Sequence, residues 1–403
     1  MCNQNKNFVF NYINCVYDLL KTSEQINLSS LNKESLRQRK NINIPKYIKN
    51  NDYEKFLLLQ CKFNVQKLYI KNISDMSNIS KNTLALMFDN EFNEPINIPN
   101  WIKSVCFGKK YNQPNKLPNS IIYISFGEDY NQPTELPNSV KRITFDYFSK
   151  YNQSTVLPNS IISIRFGSCY NQPTPLSNSI KHLKFNHDYN QSTPLPNSIK
   201  RLTFGHDYNQ PTPLPNSIKR LTFGYGYNQS TPLPNSIKYI KFGHRYNQST
   251  PLPNSIINLI FGTSYNQSTA LPNSVKLLDF GAFYNQPTTL PNSIEYLNFS
   301  YNSLYNQSTI LPNSITHVRF GNKYNQPTPL PNSITHLAFG VSYNQSTILP
   351  NSTTHLSFSK DYKYKQTIDL PKSLISFSSG KQFIHSSDYY SNKSCKTIKK
   401  ARV

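Results

Sequence analysis

The chain has 403 residues, and its 43 lysines and arginines outnumber 20 aspartates and glutamates, which gives a formal net charge of +23. Only 37% of the residues are hydrophobic, yet 28 tyrosines and 24 phenylalanines recur at fixed intervals, which excludes a disordered chain because disordered chains lack aromatic residues. The six cysteines form no Cys-x-x-Cys pair, which excludes a disulfide framework or a zinc finger and indicates reduced thiols.

Residues 1–50 predict a small helical piece, with apolar residues on one helix face and Ser23 as the N-cap of a second helix. The segment resembles a degenerate F-box, a helical module that docks on the Skp1 adaptor of cullin ubiquitin ligases. The resemblance implies the adaptor-binding residues Phe10, Tyr12, Ile13, Val16, Leu20, Ile26, Leu28 and Leu31. The Leu-Pro that opens most F-boxes is absent, so a plain helical cap over the first repeat is the alternative. Residues 51–82 are expected to form a transition with atypical first coils.

Residues 83–378 repeat a nineteen-residue unit that contains Tyr-Asn-Gln, with two extra residues after the closing Phe in a few copies. In the copy that begins at Tyr189, the pattern Ile199-x-x-Leu202-x-Phe204 alternates like a short strand with one buried face. Pro194 and Pro196 exclude a helix before it, so the return path must be extended. We predict one short parallel strand per coil, with Leu, Phe and Tyr ladders in the core and amide ladders of Asn and Gln between coils.

The unit resembles the FNIP repeat, a relative of the leucine-rich repeat that occurs in amoebae and in the giant viruses that infect them. The family's Phe-Asn-x-Pro is written Tyr208-Asn209-Gln210-Pro211 here, followed by Leu-Pro-Asn-Ser-Ile and by Leu-x-Phe-Gly. The resemblance implies a mainly β, leucine-rich-repeat-like solenoid of about 14–16 coils that binds protein partners. A curved horseshoe and a straighter solenoid both remain open, because the Asn position of the standard leucine-rich pattern is variable in this chain.

The sequence predicts no enzyme, no catalytic residue, no cofactor and no metal site, because a repeat supplies the same residues many times rather than a few unlike residues in one place. His317, His336 and His355 recur at an outward strand position, where their rings should stack. No carboxylate accompanies them in the sequence, and repeat duplication alone explains the spacing. The looser set His187, His206 and His244 is interpreted in the same way.

A basic stripe is predicted on the outward strand positions of the middle coils. It consists of Lys141, Arg142, Arg165, Lys181, Lys184, Lys200, Arg201, Lys219, Arg220, Lys238 and Lys241. The stripe is either a solvated surface or a docking surface for an acidic protein segment or phosphates. Aromatic residues interleave poorly with it, which does not support stacking of single-stranded bases and disfavours nucleic acid as a partner.

The function hypotheses are therefore a protein-interaction protein that acts as an F-box-type substrate receptor, an interaction scaffold or decoy without a ligase link, and nonspecific nucleic-acid binding. Residues 379–403 are a basic tail that we expect to be disordered. No hydrophobic run is long enough to cross a membrane, and the N-terminus lacks a secretory signal. We therefore expect a protein of the cytoplasm or nucleus of the host cell, neither secreted nor membrane-bound, and leave its oligomeric state open.

Overall fold

A computed structural model describes residues 66–77, 79–359 and 368–378. The predictions for residues 1–50, including the adaptor-binding residues, and for the basic tail 379–403 lie outside the described residues. The chain divides into two compact units, one ending at Ile161 and the other beginning at Ile162. Within the described residues, no helix is long or apolar enough to cross a membrane.

The first unit contains five described strands and a short 3₁₀ helix, Ile73–Met76. The strands are β1 (Gln66–Ile70), β2 (Thr83–Phe88), β3 (Ser104–Cys106), β4 (Tyr123–Phe126) and β5 (Arg142–Phe145). Each strand pairs in parallel with the next one. The pairing of β1 with β2 shifts register between Gln66 and Lys67, whereas the later pairs match residue for residue.

The second unit contains twelve described strands. They are β6 (Ser163–Arg165), β7 (His182–Lys184), β8 (Arg201–Thr203), β9 (Arg220–Thr222), β10 (Tyr239–Lys241), β11 (Asn258–Ile260), β12 (Leu277–Phe280), β13 (Tyr296–Phe299), β14 (His317–Arg319), β15 (His336–Phe339), β16 (His355–Phe358) and β17 (Ser376–Ser378). Each pairs in parallel with the next, and each residue faces its equivalent in the neighbouring coil, as Leu202 faces Leu221. The predicted solenoid with one short parallel strand per coil is confirmed.

The strands are short because turn residues bound them on both sides. Before β9, the N–H of Ile218 donates a hydrogen bond to the carbonyl of Pro215 at 3.3 Å and closes a turn. The preceding arc contains no helix, as predicted from its prolines, which have no N–H to donate to a helix. The coil therefore has one strand and an irregular return.

Apolar columns fill the inside of each unit. In the coil of β8, Ile199, Leu202, Phe204 and Tyr208 are all at most 4% exposed. The ring of Phe204 stacks on that of Tyr208 with centroids 3.9 Å apart, and Tyr208 stacks on Tyr227 of the next coil at 6.2 Å. The Tyr208 hydroxyl bonds to the hydroxyl of Thr212, so the buried phenol keeps a partner. The predicted aromatic ladders are confirmed.

Polar ladders join consecutive coils at the Tyr-Asn-Gln corner. The Oδ1 of Asn190 accepts hydrogen bonds from the backbone N–H of Asn209 at 3.0 Å and from the Nε2 of Gln210 at 3.1 Å. In the turn before β9, Ser217 donates its hydroxyl to the carbonyl of Ile199 at 2.7 Å. The bonds of Asn209 and Ile199 each satisfy a backbone group outside the strands, and the bond of Gln210 joins two side chains of consecutive coils.

Candidate functional site

The outward face of the strands in the second unit has a column of four lysines. Lys181, Lys200, Lys219 and Lys238 occupy the position before β7, β8, β9 and β10, and all four are exposed. The N–H of each later lysine donates to the carbonyl of the lysine one coil earlier at 2.8–2.9 Å. Backbone pairing therefore sets the spacing of the column at about 4.8 Å.

Two further columns widen this positive surface. Arg201 and Arg220 face each other in register and are exposed, and the guanidinium of Arg220 lies 3.6 Å from the ring centroid of Tyr239. Such a cation–π contact holds the guanidinium plane in place. Lys184 is half-buried, and burial followed by the charge of Arg165 lowers the pKa of its amine.

The lysine column is electrostatically uncompensated over these four coils. Among the described residues, no carboxylate lies within ion-pair distance of Lys181, Lys200, Lys219 or Lys238. Two coils after Lys238, the lysine at the same position is paired, because Lys276 donates to Glu295 at 2.7 Å. The unpaired charge is therefore a local feature of the coils of β7 to β10.

The structure separates the predicted stripe into two parts. Lys141, which is exposed, and Arg142, which is half-buried, lie in the first unit. The other nine residues lie in the second unit on consecutive coils, where Lys241 of β10 is also exposed and Arg165 of β6 is half-buried. The structure brings together the lysines and arginines of β7 to β10.

A ladder of histidines follows further along the strand position that Arg201 and Arg220 occupy. The rings of His317, His336 and His355 stack with centroids 4.1 Å apart, as expected from their spacing. The hydroxyls of Thr316, Thr335 and Thr354 each lie 2.9 Å from the Nδ1 of the following histidine. Burial, and then the charges of His317 and His355, lower the pKa of His336.

The second histidine set has carboxylate neighbours that the sequence interpretation missed. His187 and His206 occupy the turns after β7 and β8, and their rings stack at 4.4 Å. Carboxylates accompany them: the Nδ1 of His187 lies 2.6 Å from Asp188, and the Nδ1 of His206 lies 2.5 Å from Asp207. The signal available in the sequence was the dipeptide His-Asp repeated nineteen residues apart.

The stacked parallel strands, the irregular return arcs and the outward columns define a leucine-rich-repeat-like solenoid, a class of protein typical of protein–protein interaction. The FNIP Repeat family model matches residues 88–129, 130–169, 170–207, 189–226, 208–245, 246–283, 284–323 and 324–361. These matches span more than half of the chain, which therefore belongs to the FNIP repeat family.

Comparison with solved structures supports the same leucine-rich-repeat-like fold. The chain is similar to CroV588, described as a novel circular LRR protein structure, with 34% identity and a TM-score of 0.68 over 79% of this chain and 56% of CroV588. The chain thus spans little more than half the length of that structure.

The chain also resembles two YopM structures. YopM from Yersinia enterocolitica WA-314 is 17% identical, with a TM-score of 0.55 over 89% of this chain and 86% of that one. YopM of Yersinia pestis, a leucine-rich effector protein, is 16% identical, with a TM-score of 0.52 over 70% and 84%. At these identities the YopM structures support the fold alone, and no curated protein matches the chain.

Proposed function

We propose that this protein is a non-enzymatic interaction protein, and that the outward face of β7 to β10 binds an acidic segment of a protein partner. The observation that carries the proposal is the column Lys181, Lys200, Lys219 and Lys238, which has no carboxylate partner among the described residues. Holding like charges side by side is unfavourable, and an acidic partner relieves that repulsion.

The size of the column suggests the form of the partner. Four lysines at a spacing of about 4.8 Å span about 14 Å, which is the length of four to five residues of extended chain. The flexible four-carbon stem of lysine lets each ammonium adjust to a carboxylate that is not in strict register. Arg201 and Arg220 beside the column offer planar guanidinium groups for bidentate contact with the same carboxylates.

A full-length binding assay with two double variants tests this surface. The probe is a fluorescent peptide of ten Asp and Glu residues, and its Asn and Gln counterpart serves as the uncharged control. Lys200→Ala with Lys219→Ala should weaken binding about twofold to thirtyfold, because each exposed ion pair contributes about 0.2–1 kcal/mol. Lys276→Ala with Lys323→Ala removes the same net charge elsewhere in the second unit and should have little effect.

Two outcomes would contradict the proposal. Equal weakening by both double variants would mean that the peptide responds only to net charge. Tight binding of a random-sequence DNA duplex, with affinity that falls steeply with salt while the peptide does not bind, would favour the nucleic-acid alternative.

The narrower proposal is that the protein is a substrate receptor of a cullin ubiquitin ligase, with residues 1–50 holding a Skp1-like adaptor and the solenoid holding the target. Its support is the F-box resemblance of the sequence. Full-length protein should retain a Skp1-like adaptor in a pull-down, and Val16→Asp with Leu20→Asp should abolish it. Failure of the unmodified protein to retain the adaptor would leave an interaction scaffold or decoy without a ligase link.

A further inference from the structure

The turns after β7 and β8 bring four metal-ligating side chains together on two adjacent coils. These are His187 and Asp188 in one turn and His206 and Asp207 in the next. The N–H of Asp207 donates to the carbonyl of His187 at 2.9 Å, so backbone pairing holds the two turns in register. The cluster lies on the turns, whereas the lysine column lies before the strands, so the two surfaces can be tested independently.

We propose that His187, His206 and Asp207 bind a divalent transition-metal ion of the zinc type. One donor atom from each of the three residues lies within 4.8 Å of the other two. Two imidazole nitrogens and one carboxylate oxygen form a donor set that zinc uses when a fourth position stays open. The side chains are 43–48% exposed, so that position faces water or a side chain of a bound partner.

The distances are close to what coordination requires. Zinc–ligand bonds of about 2.0–2.2 Å in a tetrahedron place neighbouring donor atoms about 3.3–3.5 Å apart. The Nδ1 of His187 and the Oδ2 of Asp207 are already 3.5 Å apart. The Nδ1 of His206 and the Oδ1 of Asp207 are 2.5 Å apart, a hydrogen-bond distance that opens by about 1 Å when a metal replaces the shared proton.

Asp188 supports the same site. Its carboxylate lies 2.6 Å from the Nδ1 of His187 and adds a second negative charge beside the donors. The two carboxylates offset locally the net charge of +23, which repels cations from the chain as a whole. The Nδ1 of His187 is also the nitrogen that would bind the metal, so Asp188 can serve as a fourth ligand once its contact with that nitrogen opens.

A second histidine ladder in the same chain, which has no carboxylate neighbours among the described residues, serves as an internal control for the proposed metal site. The rings of His317, His336 and His355 stack at a similar spacing, but their Nδ1 atoms face threonine hydroxyls. Within the described residues, no carboxylate lies within ion-pair distance of these three rings. If the carboxylates make the difference, only the first cluster should bind the metal tightly.

The test is a zinc titration of full-length, tag-free, reduced protein in competition with a chromophoric chelator. The matched variants are Asp207→Asn, His206→Gln and His336→Gln, each checked by circular dichroism for an unchanged fold. Asp207→Asn and His206→Gln should each weaken the tightest zinc equivalent by more than about tenfold, and His336→Gln should leave it unchanged. Cobalt should give the spectrum of a nitrogen and oxygen site without a thiolate band.

The proposal is overturned if Asp207→Asn and His206→Gln bind zinc as tightly as the unmodified protein, because the metal then binds elsewhere. A cobalt–thiolate band that persists in both variants would identify cysteines as that other location. Loss of the tightest equivalent in His336→Gln would also overturn it, since stacked histidines without carboxylates would then be sufficient.

Discussion

Replacing Gly243 with alanine should separate two coils that are in close contact. A Cβ at this position would overlap the carbonyl oxygen of Gly224 and would lie 2.8 Å from its carbonyl carbon. The oxygen is the closer of these two atoms, and a Cβ does not approach a neighbouring heavy atom to within about 3.0 Å, so the two coils must move apart by more than about 1 Å. Overpacking of this kind costs about 1–3 kcal/mol.

Gly226→Ala is the matched control, because the same methyl group enters a nearby turn with more space. Its Cβ would lie 3.1 Å from the carbonyl oxygen of His206 and 3.8 Å from the Cα of Asp207. Both substitutions reduce the freedom of the unfolded chain by the same amount, about 0.4–1 kcal/mol, so that contribution cancels in the comparison. The expected difference in the free energy of unfolding is therefore the steric cost of about 1–3 kcal/mol.

Thermal unfolding followed by circular dichroism measures the difference, and Gly243→Ala should melt several degrees below Gly226→Ala. Hydrogen–deuterium exchange should also show faster exchange at the coils on either side of Gly243 and not elsewhere. If Gly226→Ala were as destabilising as Gly243→Ala, the close approach of the coils at Gly243 would not be the cause, and the reasoning would fail.

Three further predictions concern the ladders. Burial raises the pKa of Tyr227 to about 12, so the unfolded chain ionises first and stability should fall as pH rises from about 10 to 12. Tyr227→Phe should reduce that fall by up to about 2.7 kcal/mol in alkaline unfolding titrations, and an unchanged slope would contradict it. Asn228 accepts bonds from the N–H of Asn247 at 2.9 Å and from Gln248 at 3.2 Å. Asn228→Ala should lower the free energy of unfolding by about 1 kcal/mol in urea, whereas Asn228→Asp, which keeps the oxygen that accepts both bonds, should lower it less. Equal losses would refute this role. The lowered pKa of His336 means that the unfolded chain takes up its proton first, so this contribution to stability is present above the ordinary imidazole pKa and lost on acidification. His336→Gln should flatten the acid limb of the pH–stability curve, and an identical limb would count against the effect.

Much of the fold could be predicted from the repeat, because coils of nearly the same sequence adopt the same structure. The alternation of Ile199, Leu202 and Phe204 predicts a strand, and the prolines before it predict the extended return. Stacking is then required, since a single coil cannot bury its own apolar face. For the same reason the Asn and Gln ladders could be predicted, because identical residues at a fixed spacing meet the same neighbours in every coil.

The candidate site could be predicted only in part. The repeat spacing places Lys200 and Lys219 on one face, but it does not show which charges find a partner. Lys276 holds the same position and pairs with Glu295 at 2.7 Å, whereas the lysines of β7 to β10 have no such carboxylate among the described residues. Whether a lysine of this column has an ion-pair partner depends on which residue occupies the facing position in the neighbouring coil.

The strand, the turn and the need to stack could all be predicted from the sequence, because they follow from local chemistry repeated at a constant period. The contacts that variable residues make across coils became visible only in the folded chain. His187 and His206 have the same nineteen-residue spacing as His317 and His336, yet Asp207 reaches both His206 and His187, while His336 faces a threonine hydroxyl. The physical reason is that side-chain contacts between coils depend on direction and on distances of a few ångströms, which spacing along the chain does not specify.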